Sequence, residues 1–399
     1  GFSDAISQRH LRVPLLSVRN AGGMSDRCEH EPLLRLLLSG APASGLRRLL
    51  DSHGTAQAVM VAGARDWASH GLAATVCNAI RTPDAAALRN ATDWLQAPGH
   101  HLLGWRDADY PPLLRRIASP PAMLFVAGDP AQLWRPAVAI VGSRTATAGG
   151  CANAGHFARQ LANAGLCIAS GLAAGIDAAA HSATLEAGGV TVAVLGTGPD
   201  IAYPPRHQTL LERIAATGAV VSEHPPGTGP LRQHFPSRNR ILAGLSLGTL
   251  VIEAALRSGA LITARQAADA GREVFALPGS IHNPMARGCH RLIREGAALV
   301  ESAQEVIDVL SPSVLELARA LRGELDSVPI PLSAALPAPH QDSANYNRLW
   351  PALGHDPTGM DELEERTGLT VAELSAMLLT LELEGRVVAE HGRYCRIGG

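Results

Sequence analysis

The chain has 399 residues, 46% of them apolar and 18% charged, enough for two to four domains with cores of their own and too apolar for disorder throughout. Its net charge of −2 is unevenly spread: +2 over 1–134, +5 over 135–300 and −9 over 301–399, so a polyanion should favour the middle. Every basic side chain is arginine, and without lysine both the phosphate-gripping lysine of a P-loop and a Schiff base are excluded.

From the N-terminus, residues 1–23 show no compact apolar core followed by a small-residue cleavage site, so no secretion signal is read there. They precede the first methionine, Met24, and are expected to be a disordered extension. No apolar run reaches bilayer-spanning length. The six cysteines, with no CxxC pair, read as free thiols of a cytoplasmic protein rather than as a zinc module or disulfide framework. Over 25–98, "EPLLRLLLSGAP", "SGLRRLLDSHGT" and "TPDAAALRNATDWL" repeat apolar residues at spacings of three and four, which predicts a small all-helical domain.

The pattern changes at about residue 99. Apolar runs at 122–128, 137–142, 166–170, 190–196, 219–222, 248–253 and 274–279 alternate with Ala-rich helical stretches up to about 310. Strands apolar on both faces, separated by helices, predict an α/β domain with a mostly parallel sheet. Such sheets bind ligands beyond the carboxyl ends of their strands, which directs attention to the loops after 137–142, 190–196 and 248–253.

Those loops carry the candidate residues. Gly142-Ser143-Arg144 is a glycine turn between strand and helix, where exposed N–H groups and the helix dipole favour phosphate; it is not a GxGxxG dinucleotide loop. Asp177 and His181, at i and i+4 on a helix, are placed to touch and read as a structural hydrogen bond. Arg206 follows a Tyr-Pro-Pro corner that could hold it at the cleft mouth. The stretch "LRQHFPSRNRILAGLS" then gathers Arg232, Phe235, Arg238, Asn239 and Arg240. Guanidinium groups pair with phosphates, and an exposed ring stacks a base; the alternative for Phe235 is the core. Ser258, Gly259 and Thr263 form a second strand-to-helix turn that offers donors to an anion, unless Thr263 is simply a helix residue. Glu253, at a strand end, reads as a structural carboxylate, one that could position Arg238 or Arg240, or as the acid of a nucleotide hydrolase.

Residues 311–345, rich in Pro, Ala and Ser, read as a linker. Over 346–399, two helical patterns and a strand pair, "RVVAE" and "RYCRI", outline a winged helix.

Read in order, "GWRDADYPPLLRRIASPPAMLFVAGD", "VAIVGSRTAT", "ASGLAAGIDAAAHSATLEAGG", "FPSRNRILAGLS", "VIEAALRSGALITARQAADAGREVFALPG" and "GCHRLIREGAALV" resemble the DprA/Smf family of DNA-processing proteins across about 100–310. The resemblance implies an extended Rossmann-like core between an N-terminal SAM-like helical domain and a C-terminal winged helix. It implies a protein that binds single-stranded DNA without sequence preference, protects incoming DNA during natural transformation and loads the RecA recombinase. It further implies a homodimer formed through the core, with no cofactor and no established enzymatic activity. Carried over by motif, the DNA contacts fall on Gly142, Ser143, Arg144, Arg206, Arg232, Phe235, Arg238, Asn239, Arg240, Ser258, Gly259 and Thr263. Two other readings stand beside it. One is a Rossmann-like phosphoribohydrolase of nucleoside monophosphates with Glu253 as catalytic carboxylate, although its PGG-x-GT signature is missing. The other is a duplex-binding regulator read through the winged helix, for which a segment of net −9 is ill suited.

Overall fold

A computed structural model describes residues 26–327, 344–353, 358–383, 387–390 and 393–396. The expected extension at 1–23 lies outside the described residues, as does most of the Pro-rich stretch at 328–343. The chain divides into two compact units, residues 1–321 and 322–399.

The first unit opens with five helices: α1 (Asp26–Leu38), α2 (Ala43–His53), α3 (Ala56–Ser69), α4 (Ala74–Arg81) and α5 (Ala85–Leu95). Thr55 and Asp84 cap α3 and α5 by accepting from backbone N–H groups of the first turn, which is what short helices need to start. Leu34, Leu36, Leu46, Leu49, Leu50, Val59, Trp67 and Ile80 close an apolar core. That core also takes in Leu102, Met123 and Phe125 of the sheet, so the helical region packs on the sheet rather than standing apart.

The sheet has nine strands: β1 (His100–Gly104), β2 (Met123–Gly128), β3 (Ala137–Val141), β4 (Cys167–Ser170), β5 (Thr191–Leu195), β6 (Ala219–Ser222), β7 (Gly248–Val251), β8 (Glu273–Ala276) and β9 (Ala298–Leu299). Their order is β1-β2-β6-β5-β4-β3-β7-β8-β9. Seven strands, β6 to β9 along that order, run parallel, while β1 and β2 add an antiparallel edge. The seven apolar runs all became strands. β1 and β9 went unread because "HHLLG" begins with two histidines and β9 has two residues.

Strand residues alternate between two packed faces. Ala139 and Val141 join α10 (His234–Leu245), α11 (Ala260–Asp269) and α12 (Arg287–Arg294), while Val138 and Ile140 join α7 (Ala148–Asn163), α8 (Ile176–Glu186) and α13 (Ala303–Ser327). Two further helices complete the unit: the four-residue α6 (Pro112–Arg115) between β1 and β2, and α9 (Gln208–Thr217), which packs beside β5 and β6. Helix α13 corrects the expected linker, since residues 311–327 continue the helix. Pro312 is in the sequence that looked like a linker, but Val306, Leu310, Val314 and Leu317 keep a helical apolar stripe against the sheet core.

The direction of chain progression along the sheet reverses at β3. From β3 the chain moves through β4, β5 and β6 on one side, and resumes with β7, β8 and β9 on the other. The crevice outside the carboxyl ends of β3 and β7 is therefore the place where such a fold holds a ligand.

The second unit is a winged helix. Helices α14 (Ala344–Ala352), α15 (Met360–Thr367) and α16 (Val371–Leu383) precede β11 (Val387–Glu390) and β12 (Arg393–Arg396). A two-residue strand, β10 (Thr358–Gly359), pairs with β12, which also pairs with β11. Leu349, Leu353, Leu363, Leu374, Leu378 and Val387 form its core, and the Arg396 guanidinium lies 4.4 Å from the Trp350 ring centre.

Candidate nucleic-acid interface

At the β3/β7 reversal lies an open cavity of about 730 Å³. Gly142, Ser143, Arg144, Arg232, Phe235, Arg238, Asn239, Ser258, Gly259 and Thr263 line it. Ten of the twelve residues singled out in the sequence thus meet in one crevice, although they come from three loops spread over more than a hundred residues.

The loop after β3 is held by backbone and carboxylate contacts. Ser143 N–H donates to Glu253 O at 2.7 Å, and Thr145 N–H to Ser143 Oγ at 3.1 Å. Glu253, 7% exposed, accepts from Thr147 N–H (2.9 Å), Thr147 Oγ1 (2.6 Å) and Asn283 Nδ2 (3.3 Å). Thr147 in turn caps α7 by accepting from Gly150 N–H. A carboxylate therefore already occupies the α7 N-terminus, the position at which a bound anion was expected. The group this turn leaves exposed is the Arg144 guanidinium. Glu253 positions neither Arg238 nor Arg240, and its oxygens are engaged by Thr147 and Asn283.

Gly175 lets α8 come close beneath the same turn. Its φ is +80°, Ile176 N–H donates to Ser143 O at 3.2 Å, and a Cβ at 175 would collide with that carbonyl. The preceding loop carries Leu172 at φ +57°, a conformation held by Asp177, which accepts from Gly171 N–H (3.1 Å) and Ala173 N–H (3.4 Å). Asp177 does not bond His181 as its spacing suggested. His181 Nδ1 lies 2.7 Å from Thr191 Oγ1, whose own proton goes to Ile168 O, so the imidazole donates and its other nitrogen stays unprotonated. Burial, with the charges of Arg238 and His207, lowers the His181 pKa to about 3. Burial raises that of Asp177, with the Arg238 charge as the main counterweight.

The 231–240 run is where the structure departs most from the sequence reading. It is not a polar loop: α10 begins at His234, and helical geometry sends its arginines in different directions. Arg238 turns inward, 6% exposed, donating to Gly171 O at 2.9 Å, to Val194 O and to Asn239 Oδ1 at 3.1 Å. Burial lowers its pKa to about 10, so it stays charged at neutral pH. It braces the cavity floor, where the sequence suggested a surface phosphate contact. Arg240 points elsewhere and pairs with Glu223 at 2.7 and 2.8 Å, because its helical position faces the β6 end. Arg206 is exposed on the Pro205–His207 turn and does not line the cavity.

Phe235 is half-buried and lines the cavity. The Arg144 guanidinium carbon lies 5.4 Å from its ring centre, and the Tyr203 ring, 41% exposed, lies 5.3 Å away at 47°. Tyr203 and Arg257 also line the cavity, and neither was singled out in the sequence. The Tyr-Pro-Pro corner was the signal for Tyr203, read then as a hinge for Arg206; Arg257 precedes the Ser258 turn directly. In that turn Ser258 Oγ accepts from Ala260 N–H at 3.3 Å, and the N–H groups of Leu261, Ile262 and Thr263 bond to Ser258 O and Gly259 O, so the start of α11 is already satisfied. Gly259 is exposed, while Thr263 is a helix residue 2% exposed. Of the arginines lining the cavity, Arg144, Arg232 and Arg257 are exposed, and none is ion-paired among the described residues.

A doubly wound sheet with exposed guanidiniums and two adjacent aromatic rings around one open crevice at its β3/β7 reversal defines a Rossmann-like core. The signature of DNA recombination-mediator protein A matches residues 101–311, and that of the DprA winged helix domain matches 333–393. The chain is 42% identical to Protein Smf of Escherichia coli over 312 residues, 78% of this chain and 81% of that one. It is 48% identical to DNA processing protein DprA of Streptococcus pneumoniae over 201 residues, half of this chain and 71% of that one. The X-ray structure of DprA from Streptococcus pneumoniae superposes with a TM-score of 0.64 at 39% identity, covering 70% of this chain and 96% of that one. The chain belongs to the DprA/Smf family.

Proposed function

We propose that this protein holds single-stranded DNA in the β3/β7 crevice, protects it during natural transformation and passes it to the RecA recombinase. Arg144, Arg232 and Arg257 neutralise phosphates, the Ser258-Gly259 turn lies beside them, and Phe235 with Tyr203 stacks a base. The observation that carries this reading is the Arg144–Phe235–Tyr203 cluster lining the cavity, where a guanidinium 5.4 Å and a second ring 5.3 Å from the Phe235 ring centre come together from three separate segments of the chain. Stacking contributes about 1–3 kcal/mol per base and tolerates any base. Arg206 and the Gly142-Ser143 turn belong to the proposed path as its rim. The RecA step, a homodimer through the core and a cytoplasmic site of action follow from family membership and are part of the proposal.

The hydrolase alternative needs a carboxylate free to act on a nucleotide, and Glu253 is spent on Thr147 and Asn283. A polarisation titration with a labelled oligothymidine, single-stranded against duplex at two ionic strengths, tests the binding reading. Preference for the single strand that weakens steeply with salt is expected; equal affinity for duplex would overturn it.

A further inference from the structure

Away from the crevice, two histidines and an aspartate meet between α2 and α3. His53 Nε2 lies 2.8 Å from Asp66 Oδ2, and His70 Nδ1 lies 3.5 Å from the same oxygen. The three ligand atoms all lie within 4.8 Å of one another, and the three side chains are about a quarter exposed. We propose that His53, Asp66 and His70 bind a divalent transition metal, zinc being the best match, with water completing the coordination.

Three features favour a cation here. First, the spacing fits: bonds of about 2.0–2.2 Å to zinc place tetrahedral ligands roughly 3.4 Å apart, the two imidazole-to-carboxylate separations are 2.8 and 3.5 Å, and the third pair, His53 to His70, lies within 4.8 Å and closes by rotation of the two rings. Second, the remaining nitrogen of His70 is already placed. Its Nε2 lies 3.2 Å from Ser52 Oγ, a partner that fixes the ring and leaves Nδ1 as the metal-facing atom. Nδ1 then faces three oxygens, Asp66 O at 3.0 Å and Asp66 Oδ2 and Ser69 Oγ at 3.5 Å, an arrangement that needs a proton or a metal ion among them. Third, His53 is the last residue of α2 and His70 the C-cap of α3, so both stand at the negative ends of helix dipoles. Two imidazoles and one carboxylate suit zinc better than calcium or magnesium, which prefer all-oxygen shells. Arg48 donates to His70 O at 3.3 Å, on the backbone side of the cluster.

The site would clamp α2 to α3 without touching the DNA crevice. The test is equilibrium dialysis of the full chain against zinc, with bound metal counted by atomic absorption, for the wild type and for His53→Ala/His70→Ala. The wild type is expected to retain one equivalent more than the variant, and zinc to raise the melting temperature of the wild type only. Because other histidines also bind zinc weakly, Asp66→Asn serves as a second variant and should weaken zinc at least tenfold. Equal zinc content in all three proteins, each shown to be folded by circular dichroism, would overturn the proposal.

Discussion

Two arginines six residues apart, Arg232 and Arg238, make opposite predictions. Arg144, Arg232 and Arg257 are exposed and without an ion-pair partner among the described residues, so in the proposed binding mode replacing any one by alanine removes one phosphate contact, and at Arg144 the stack on Phe235 as well. Single-strand affinity should fall, and the slope of log K against log salt should shrink by about 0.7 for each arginine lost, measured by polarisation titrations across a salt series. Phe235→Ala should also weaken binding, by about 1–3 kcal/mol, yet leave that slope unchanged, because a ring releases no counterions. Arg238→Ala should instead destabilise the fold by about 1–3 kcal/mol, since Gly171 O and Val194 O would lose a buried donor. The reading that grouped these side chains was right about where they converge and wrong about which ones face the solvent. Composition shows that cations and a ring are close together. Only the register of α10, starting at His234 rather than after the arginine run, decides that Arg238 points down and Arg240 away.

At the scale of elements, the crevice is set by contacts between neighbouring loops, and these were the least legible part of the sequence. The parallel strands could be read because each is a short apolar run between helical stretches. That Glu253, at the end of β7, reaches across to cap α7 through Thr147 could not, because a pairing over 106 residues leaves no local pattern. Glu253→Ala should therefore lower stability by about 2–3 kcal/mol in chemical denaturation, as two charge-assisted hydrogen bonds are lost, and loosen the Arg144 turn with it. The contact between α8 and β5 makes a pH prediction. The His181 pKa is lowered to about 3 when folded, against about 6.5 when unfolded, so below pH 6.5 only the unfolded chain takes up this proton. Stability supplied by neutral His181 is complete above pH 6.5 and declines as pH falls towards 3, by up to about 1.4 kcal/mol per unit. Urea unfolding between pH 7 and 4 should show a shallower acid decline in His181→Asn than in the parent. Equal slopes would mean that His181 is not the buried base described.

The whole molecule separates its charges. The cationic crevice lies in the first unit, while residues 344–399 hold nine acidic side chains against five arginines. The winged helix was legible from its helix–helix–strand–strand outline and the linker only in part, because Val314 and Leu317 continued the α13 stripe through a segment whose prolines suggested a break. If the crevice is the DNA-binding element, removing 344–399 should leave single-strand binding in place. At low ionic strength it should strengthen binding modestly, since negative charge that repels a polyanion has gone and its reach is screened within about 10 Å at 0.1 M salt. A gel-shift series with the truncated protein at low and near-physiological salt checks both parts. Retained binding with a gain confined to low salt places the reader in the β3/β7 crevice. Loss of all binding would make the winged helix the DNA-binding element and leave the arginines around the crevice without the role argued for them.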